Sequence, residues 1–257
     1  MILSKRAALN GVQLDELFPE IVIRSVDPGV PHETVSAVSR GGGFGQRVTG
    51  QHWDTLEVSV TYAIDVSKRE MPRRRQIFDA VNTWALGKGW LTVNWMEGRR
   101  FYVDKVVIPG SGDLWRWTDE YTIIFRAYGV PFWQDELPAQ AVSSVTGNGS
   151  VTLQVGGNVK SVLDISFQNR SGMVINNFQV QTGSNVMAFS NLNLGGSAEL
   201  KIWHGTDGLL RITANGSNAY SKYTGADDLY VEPGLRTVSF AADRAGVLTA
   251  SCCGRWV

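Results

Sequence analysis

The sequence predicts a mainly β protein in two parts, the first a sheet with one packed helix and the second an antiparallel sandwich. Three observations carry this. One segment alternates strictly between apolar and polar residues, one segment shows a helical stripe, and everything after residue 139 consists of short β-rich runs broken by Gly, Asn and Ser.

In Thr55-Leu-Glu-Val-Ser-Val-Thr-Tyr-Ala-Ile64, Leu56, Val58, Val60, Tyr62 and Ile64 share one face, while Thr55, Glu57, Ser59 and Thr61 share the other. That period of two is the pattern of a half-buried strand. Residues 73–86 place Ile77, Phe78, Val81, Trp84 and Ala85 on one stripe at helical spacing. Ser67-Lys-Arg-Glu70 stands before them as a candidate capping box, and Gly87 follows. Further strands are expected over 90–95, 100–108 and 119–128, with a tight hairpin at Glu97-Gly98-Arg99. In the second part, residues 162–167, 174–180, 200–203 and 237–241 read as sandwich strands, with no helical period and no exact internal repeat.

Composition places the boundary between the parts. Residues 1–138 hold 33 of the 48 charged residues and seven of the nine Trp. Residues 139–257 are rich in Gly, Ser, Asn and Val. Pro131-Phe-Trp-Gln-Asp-Glu-Leu-Pro138 carries two prolines, which favour an extended connection. The domains expected are therefore 1–138 and 139–257.

The 24 basic and 24 acidic residues cancel, so there is no global field to attract nucleic acid or anionic lipid. The 43% hydrophobic content is enough to build a core. No signal-peptide pattern stands at the start, and no run of 18 apolar residues occurs. Cys252 and Cys253 are neighbours and cannot staple distant segments, and His32, His52 and His204 fall at no metal-ligand spacing. Neither a disulfide framework, nor a metal, nor a cofactor is expected.

Gly41-Gly-Gly-Phe-Gly45 lacks the Lys-Ser/Thr ending of a phosphate-binding loop and feeds a strand pattern. It is read as a loop or β-arm, the kind of segment that serves contacts between subunits. Arg73-Arg-Arg75 puts three cations in the first helical turn, where the helix dipole favours acids. They either pair with Asp65, Glu70 or Asp79, or meet an acidic neighbour or nucleic acid. Trp115 and Trp117 share a strand face and, with Trp90, Trp95 and Trp133, read first as core and second as interface anchors. No nucleophile elbow, HExxH or paired-carboxylate motif appears, and Asp227-Asp228 reads as a turn. No catalytic residue is nominated, and an enzyme is not expected.

The order of these features is more specific than any one of them. From Arg40 to Glu136 run a Gly-rich loop, Gln46-Arg-Val-Thr-Gly50, the alternating strand, the Arg-rich helix, the Trp90–Trp95 hairpin, Arg99-Arg-Phe-Tyr-Val-Asp-Lys and Tyr128-Gly-Val-Pro-Phe-Trp133. The chain closes with Val231-Glu-Pro-Gly-Leu-Arg-Thr-Val238 and Ala250-Ser-Cys-Cys-Gly-Arg-Trp256. This order resembles the distal tail proteins of long, non-contractile-tailed bacteriophages. The resemblance implies a tail-tube-like β-sandwich with one helix over 1–138 and a galectin-like sandwich over 139–257. It also implies a structural baseplate-hub protein in the virion tail, made in the host cytoplasm, that forms a homo-hexameric ring.

The partners so implied are the tail tube protein, the tape-measure and tail-tip proteins and a receptor-binding protein, with DNA passing through the ring without specific binding. A ring is closed by heterologous contacts between two different surfaces. The candidates for those surfaces are Gly41, Gly42, Gly43, Phe44, Gly45 and Arg47, the strand from Leu56 to Ile64, and Arg73, Arg74 and Arg75. The rival function is carbohydrate binding by the second sandwich, with Trp203, His204 and Tyr223 as a sugar platform.

Overall fold

The computed structural model describes residues 6–31, 33–39, 46–108 and 120–257. The Gly41–Gly45 run, His32 and the Trp115–Trp117 pair lie outside the described residues. The chain forms two compact units, Met1–Trp133 and Gln134–Val257. The fold is mainly β, with one α-helix among the described residues.

In the first unit, one antiparallel sheet has the order Ile21–Asp27, Leu56–Ile64, Glu120–Ala127, Lys105–Val107. A second joins Val12–Gln13, Ala7–Leu9, Gly89–Val93 and Arg99–Val103. The strand Leu56–Ile64 follows its alternation, with Leu56, Val58, Val60, Tyr62 and Ile64 all buried. It pairs with Ile21–Asp27 on one side and, from Leu56 to Ala63, with Glu120–Ala127 on the other. Tyr62 lies opposite Tyr121 in that ladder, and their rings stack at 5.3 Å. The hairpin expected at Gly98 forms, but with a five-residue connection over 94–98 rather than a tight turn, because the first strand ends at Val93. Gly98 has φ of +71°, and the strands meet at Thr92 and Arg100.

The helix spans Met71–Ala85 and buries Ile77, Phe78, Val81 and Ala85 of the stripe read from the sequence, while Trp84 is partly exposed. Phe78 packs on Tyr121 and Trp84 on Phe125, so the helix covers the face of the four-stranded sheet. The capping box does not form. Ser67 is consumed one turn early: its Oγ accepts from Arg69 N–H and its carbonyl from Glu70 N–H. Glu70 takes the cap position without a side-chain bond, and Pro72, which needs no amide partner in a first turn, opens the helix two residues before 73.

The second unit is a sandwich. One sheet has six strands in the order Ala139–Thr146, Ala245–Cys252, Asp164–Asn169, Glu199–His204, Leu210–Ala214, Ser217–Asn218. The other has five, in the order Gly149–Val155, Gly234–Ala242, Phe178–Thr182, Asn185–Phe189, Tyr223–Gly225. Inward residues of both fill one core, with Phe167 stacked on Phe178 at 4.7 Å. Asn215-Gly216 make a two-residue hairpin turn with φ of +51° and +76°, the left-handed pair such a turn requires.

Several expected strands are shorter than read. The 90–95 run is strand only to Val93, and the 100–108 run breaks at Asp104 into Arg99–Val103 and Lys105–Val107, which belong to different sheets. The 162–167 run breaks at Leu163 into Ser161–Val162 and Asp164–Asn169, which belong to different sheets. In the 174–180 run only residues from Phe178 onward are strand, because Asn176 and Asn177 donate their amides to the Asp243 carboxylate instead of to a ladder. The last strand is likewise divided, into Ala245–Cys252 and Arg255–Trp256.

Close approach of backbone and core appears at Gly246, where an added Cβ would run into the Phe167 ring and the Gln168 carbonyl. Phe167 is fully buried and cannot yield. Gly246→Ala is therefore expected to destabilise the second unit by about 1–3 kcal/mol. A chemical-denaturation midpoint equal to that of the unaltered chain would show that the ring has room.

Candidate functional site

Three features stand out from the scaffold: a two-stranded ribbon, an arginine cluster and a buried charged histidine. The ribbon pairs Glu33–Ser39 with Gln46–Trp53, and among the described residues its strands pair only with each other. A register shift between Ser36 and Ala37 marks a bulge, beside which Gly50 lies opposite Ser36. Residues 33–38 and 47–50 are all exposed, including Val35, Val38 and Val48 at 48%, 58% and 56%. The base is fixed by Trp53, whose ring meets Phe132 edge-on at 5.5 Å, and by the Asp54 carboxylate, which accepts from Thr34. Arg47 lies on this ribbon opposite Val38.

The three consecutive arginines have three different fates. Arg73 donates through Nε and Nη2 to Glu20 Oε1 at 2.9 and 2.6 Å and crosses the Phe18 ring at 4.8 Å. That hydrogen bond holds the Glu20 carboxyl below the usual range. Arg75 pairs with Asp79 one turn on at 2.8 Å, as the sequence allowed, whereas the Glu20 partner of Arg73 was not foreseen. Arg74 is 1% exposed. Its Nη1 donates to Val66 O at 2.8 Å and to Ile64 O, and its Nη2 approaches the Tyr121 hydroxyl.

Two of the surface candidates need correction. Arg74 is core, and it has no side-chain surface to offer a neighbour. The strand Leu56–Ile64 is not an edge, since both of its sides are occupied by ladders, so it cannot pair with another subunit. Trp133, 1% exposed, is core as expected: it meets Phe101 and donates Nε1 to Pro28 O. Trp95 is half exposed, and Trp90 carries Arg100 over its ring at 4.1 Å.

The proposed sugar platform is also corrected. Trp203 and His204 lie in the six-stranded sheet, whereas Tyr223 lies in the five-stranded sheet and packs on Phe189 at 6.0 Å. The His204 side chain is only 5% exposed and stands between two carboxylates. As an imidazolium it donates Nδ1–H to Asp164 Oδ1 at 2.9 Å and Nε2–H to Asp228 Oδ1 at 2.8 Å. Its own amide donates to the same Asp164 oxygen at 3.0 Å, and Leu229 N–H donates to Asp228. Both ring nitrogens are thus engaged, and the ring has no edge left for a ligand. Asp228, read as part of a turn, lies in irregular chain just after a bend at Asp227 and anchors this cluster. Among the described residues no group of three or more His, Cys, Asp or Glu could hold a metal ion.

Electrostatics follow from the geometry. Burial alone would pull His204 down, but the hydrogen bonds and charges of Asp164 and Asp228 outweigh it and raise its pKa to about 9. Burial would raise Asp228; the hydrogen bond and charge of His204, with help from Leu229 N–H and the Tyr230 hydroxyl, bring it below its usual value instead. Burial lowers Arg255, which lies in the field of both carboxylates. Cys252, buried at the same end of the sandwich, is pushed up to about 12 and stays a thiol, unreactive as a nucleophile near neutral pH.

No protein-family model and no curated protein matches the sequence. Among solved structures, the fold is similar to that of the Dit protein of phage SPP1, described as a paradigm of the hub adsorption apparatus in phages infecting Gram-positive bacteria. The TM-score is 0.64 at 11% identity, over 96% of this chain and 98% of that one. The phage p2 baseplate in its activated conformation gives looser matches, with Sr at TM-score 0.44 and 9% identity and with Ca at 0.41 and 8%. Each covers 96% of this chain and 97% of that chain. The mainly β chain thus has the fold of a phage distal tail protein.

A histidine whose pKa rises on folding stabilises the fold at pH values below its unfolded value of 6.5, and that contribution fades as pH rises toward about 9. Asp228, depressed on folding, acts at the other end: its contribution is present above its unfolded value of 3.8 and is lost as pH falls through the folded one. The second unit is therefore expected to lose on the order of 3 kcal/mol between pH 6.5 and 9.5. His204→Gln should be less stable at pH 6 and lack most of that slope. Equal slopes in the two proteins, followed by urea melts across this range, would remove His204 as the cause.

Proposed function

We propose that this chain is a structural protein of a bacteriophage tail tip, a baseplate hub that forms a hexameric ring joining the tail tube to the adsorption apparatus and leaving a channel for DNA. The single observation that carries the proposal is the likeness of fold to the SPP1 Dit protein along almost the whole of both chains. In this proposal residues 1–138 form the ring as a tail-tube-like domain, and residues 139–257 form a peripheral, galectin-like domain. The tail tube, tape-measure and tail-tip proteins are its neighbours, and a receptor-binding protein docks on it. Its place is the distal end of the virion tail, after assembly in the host cytoplasm. Its role is structural rather than catalytic, in keeping with a histidine committed to two carboxylates and a thiol kept protonated.

The ribbon supports the ring through its own instability. A lone two-stranded hairpin is marginal in water, and this one leaves three valines about half exposed on strands that pair with nothing else among the described residues. A neighbouring copy that covered them would add roughly 1 kcal/mol per valine at each of six repeated contacts. Arg73 and Arg75, each held by a carboxylate of its own chain, are weaker candidates, since a partner would have to displace Glu20 or Asp79.

Light scattering of the purified full chain at two protein and two salt concentrations, with negative-stain images of the largest species, tests this directly. A six-fold ring with a central hole is expected. Val35→Asp, Val38→Asp and Val48→Asp combined should leave a folded monomer with a near-normal melting temperature and no ring. Rings assembled by the triple variant would sink the ribbon as the contact, and a chain that stays monomeric alone and with its tube protein would sink the hub.

A further inference from the structure

The sandwich of the second unit is open at one end, and there it holds a cavity of about 290 Å3 lined by Lys160, Thr182, Asn185, Tyr230, Glu232 and Arg236 among others. This size lies at the lower bound, about 300 Å3, of small-molecule sites and fits a ligand of one ring. The cavity is separate from the residues discussed above as a sugar platform.

Its walls are built in an ordered way. Along Phe178–Thr182 the buried side chains alternate, Phe178, Val180, Thr182, so Thr182 projects from the core face of the five-stranded sheet. Arg236 shares that face with Val238 and Phe240, two and four residues further along its strand, and sits opposite buried Leu153. Thr182 is 4% exposed, and its hydroxyl has no hydrogen-bond partner among the described residues. A buried hydroxyl without a partner is costly, and one that lines a cavity is in place to serve a bound molecule.

Charge sets the class of that molecule. Arg236 is held by two backbone carbonyls, Glu232 O at 3.1 Å and Pro233 O at 2.9 Å, and no carboxylate pairs with it among the described residues. Lys160 meets Glu232 at 3.4 Å, but both side chains are more than half exposed, so the pair is weak and a bound anion can compete for the lysine. Tyr230 adds an aromatic wall, fixed in place because its hydroxyl bonds Asp228. Two cations, a hydroxyl, an amide and a ring face together recognise a small anion that also carries hydroxyl groups.

We propose that this open end of the sandwich is a binding site for a hydroxylated carboxylate of monosaccharide size, a sugar acid, with Lys160 and Arg236 facing the carboxylate and Thr182 a ring hydroxyl. The site does not depend on ring assembly, and it would exist equally in a monomer.

The test is calorimetric and saturation-transfer NMR titration of the full chain with D-glucuronate, using D-glucose as the neutral counterpart. Saturable glucuronate binding is expected, with glucose at least about tenfold weaker. Lys160→Gln should weaken glucuronate about tenfold, and Thr182→Val about fivefold. Thr182→Val should also keep or raise the melting temperature, because it removes a buried hydroxyl that has no partner in the free protein. Failure of glucuronate to saturate, equal binding of glucose, or unchanged affinity in both variants would each overturn the proposal.

Discussion

The first unit depends on one buried cation. Arg74 sits beneath the first turn of the helix and is solvated by the carbonyls of Ile64 and Val66, where the chain leaves the central strand Leu56–Ile64. It also reaches the Tyr121 hydroxyl on the neighbouring strand, so one guanidinium ties the helix to two strands. A charge removed from water is expensive unless its donors are satisfied, which restricts the helix to placements that bring those carbonyls under it. Ile77, Phe78 and Val81 supply the apolar stabilisation, but apolar contact alone tolerates sliding. Once Arg74 is fixed, its neighbours follow: Arg73 falls beside Glu20, and Arg75 beside Asp79.

The second unit uses the same device with three charges. Asp164 ends the break at Leu163, His204 ends the strand Glu199–His204, and Asp228 lies in the segment before Tyr230–Val231. Their two hydrogen bonds join three segments at the edge of the core, beside buried Leu163 and Leu229. The same carboxylates bear on Arg255, and Asp228 holds Tyr230, which walls the neighbouring cavity. Charges placed in this way add less to net stability than their attraction indicates, because desolvation opposes them; what they do supply is a single arrangement of the strand ends.

Legibility in the sequence followed the range of each interaction. The strand Leu56–Ile64 and the stripe on the helix were readable because periodicity is a property of neighbours along the chain. The Asn215-Gly216 turn lies in the Gly, Asn and Ser punctuation for the same reason. Arg73, Arg74 and Arg75 look equivalent as letters, and only the helical rotation of about 100° per residue, set against a sheet of known position, separates the buried one from its neighbours. Arg74 falls three residues before Ile77 and four before Phe78, so it lies on the apolar stripe itself, and that spacing was the available signal. No such signal existed for His204, whose partners are 40 residues before and 24 after it. The capping box failed for a local reason: Ser67 bonds within its own turn, a competition open to any serine ahead of a helix.

The ribbon between Glu33 and Trp53 differs from the rest in what it lacks. Strands of both units turn a buried face to a core, as the recurring buried residues along Leu56–Ile64, Gly149–Val155 and Ala245–Cys252 show. The ribbon has Val35, Ala37, Val38 and Val48 in a pairing that is well formed, yet residues 33–38 and 47–50 all face water. Backbone hydrogen bonds alone do not hold two strands together in water, since water competes for each of them. A sequence that keeps β-branched residues on such a ribbon, and anchors its base with an aromatic contact from Trp53 to Phe132, is better matched to a state in which the valines are covered. Within a ring, that cover would come from a different surface of the next copy, because a closed cyclic contact joins two unlike surfaces. The strands at the centre of the first unit's four-stranded sheet are already paired, so such a surface would fall at its edges, where Ile21–Asp27 and Lys105–Val107 are the outer strands among the described residues.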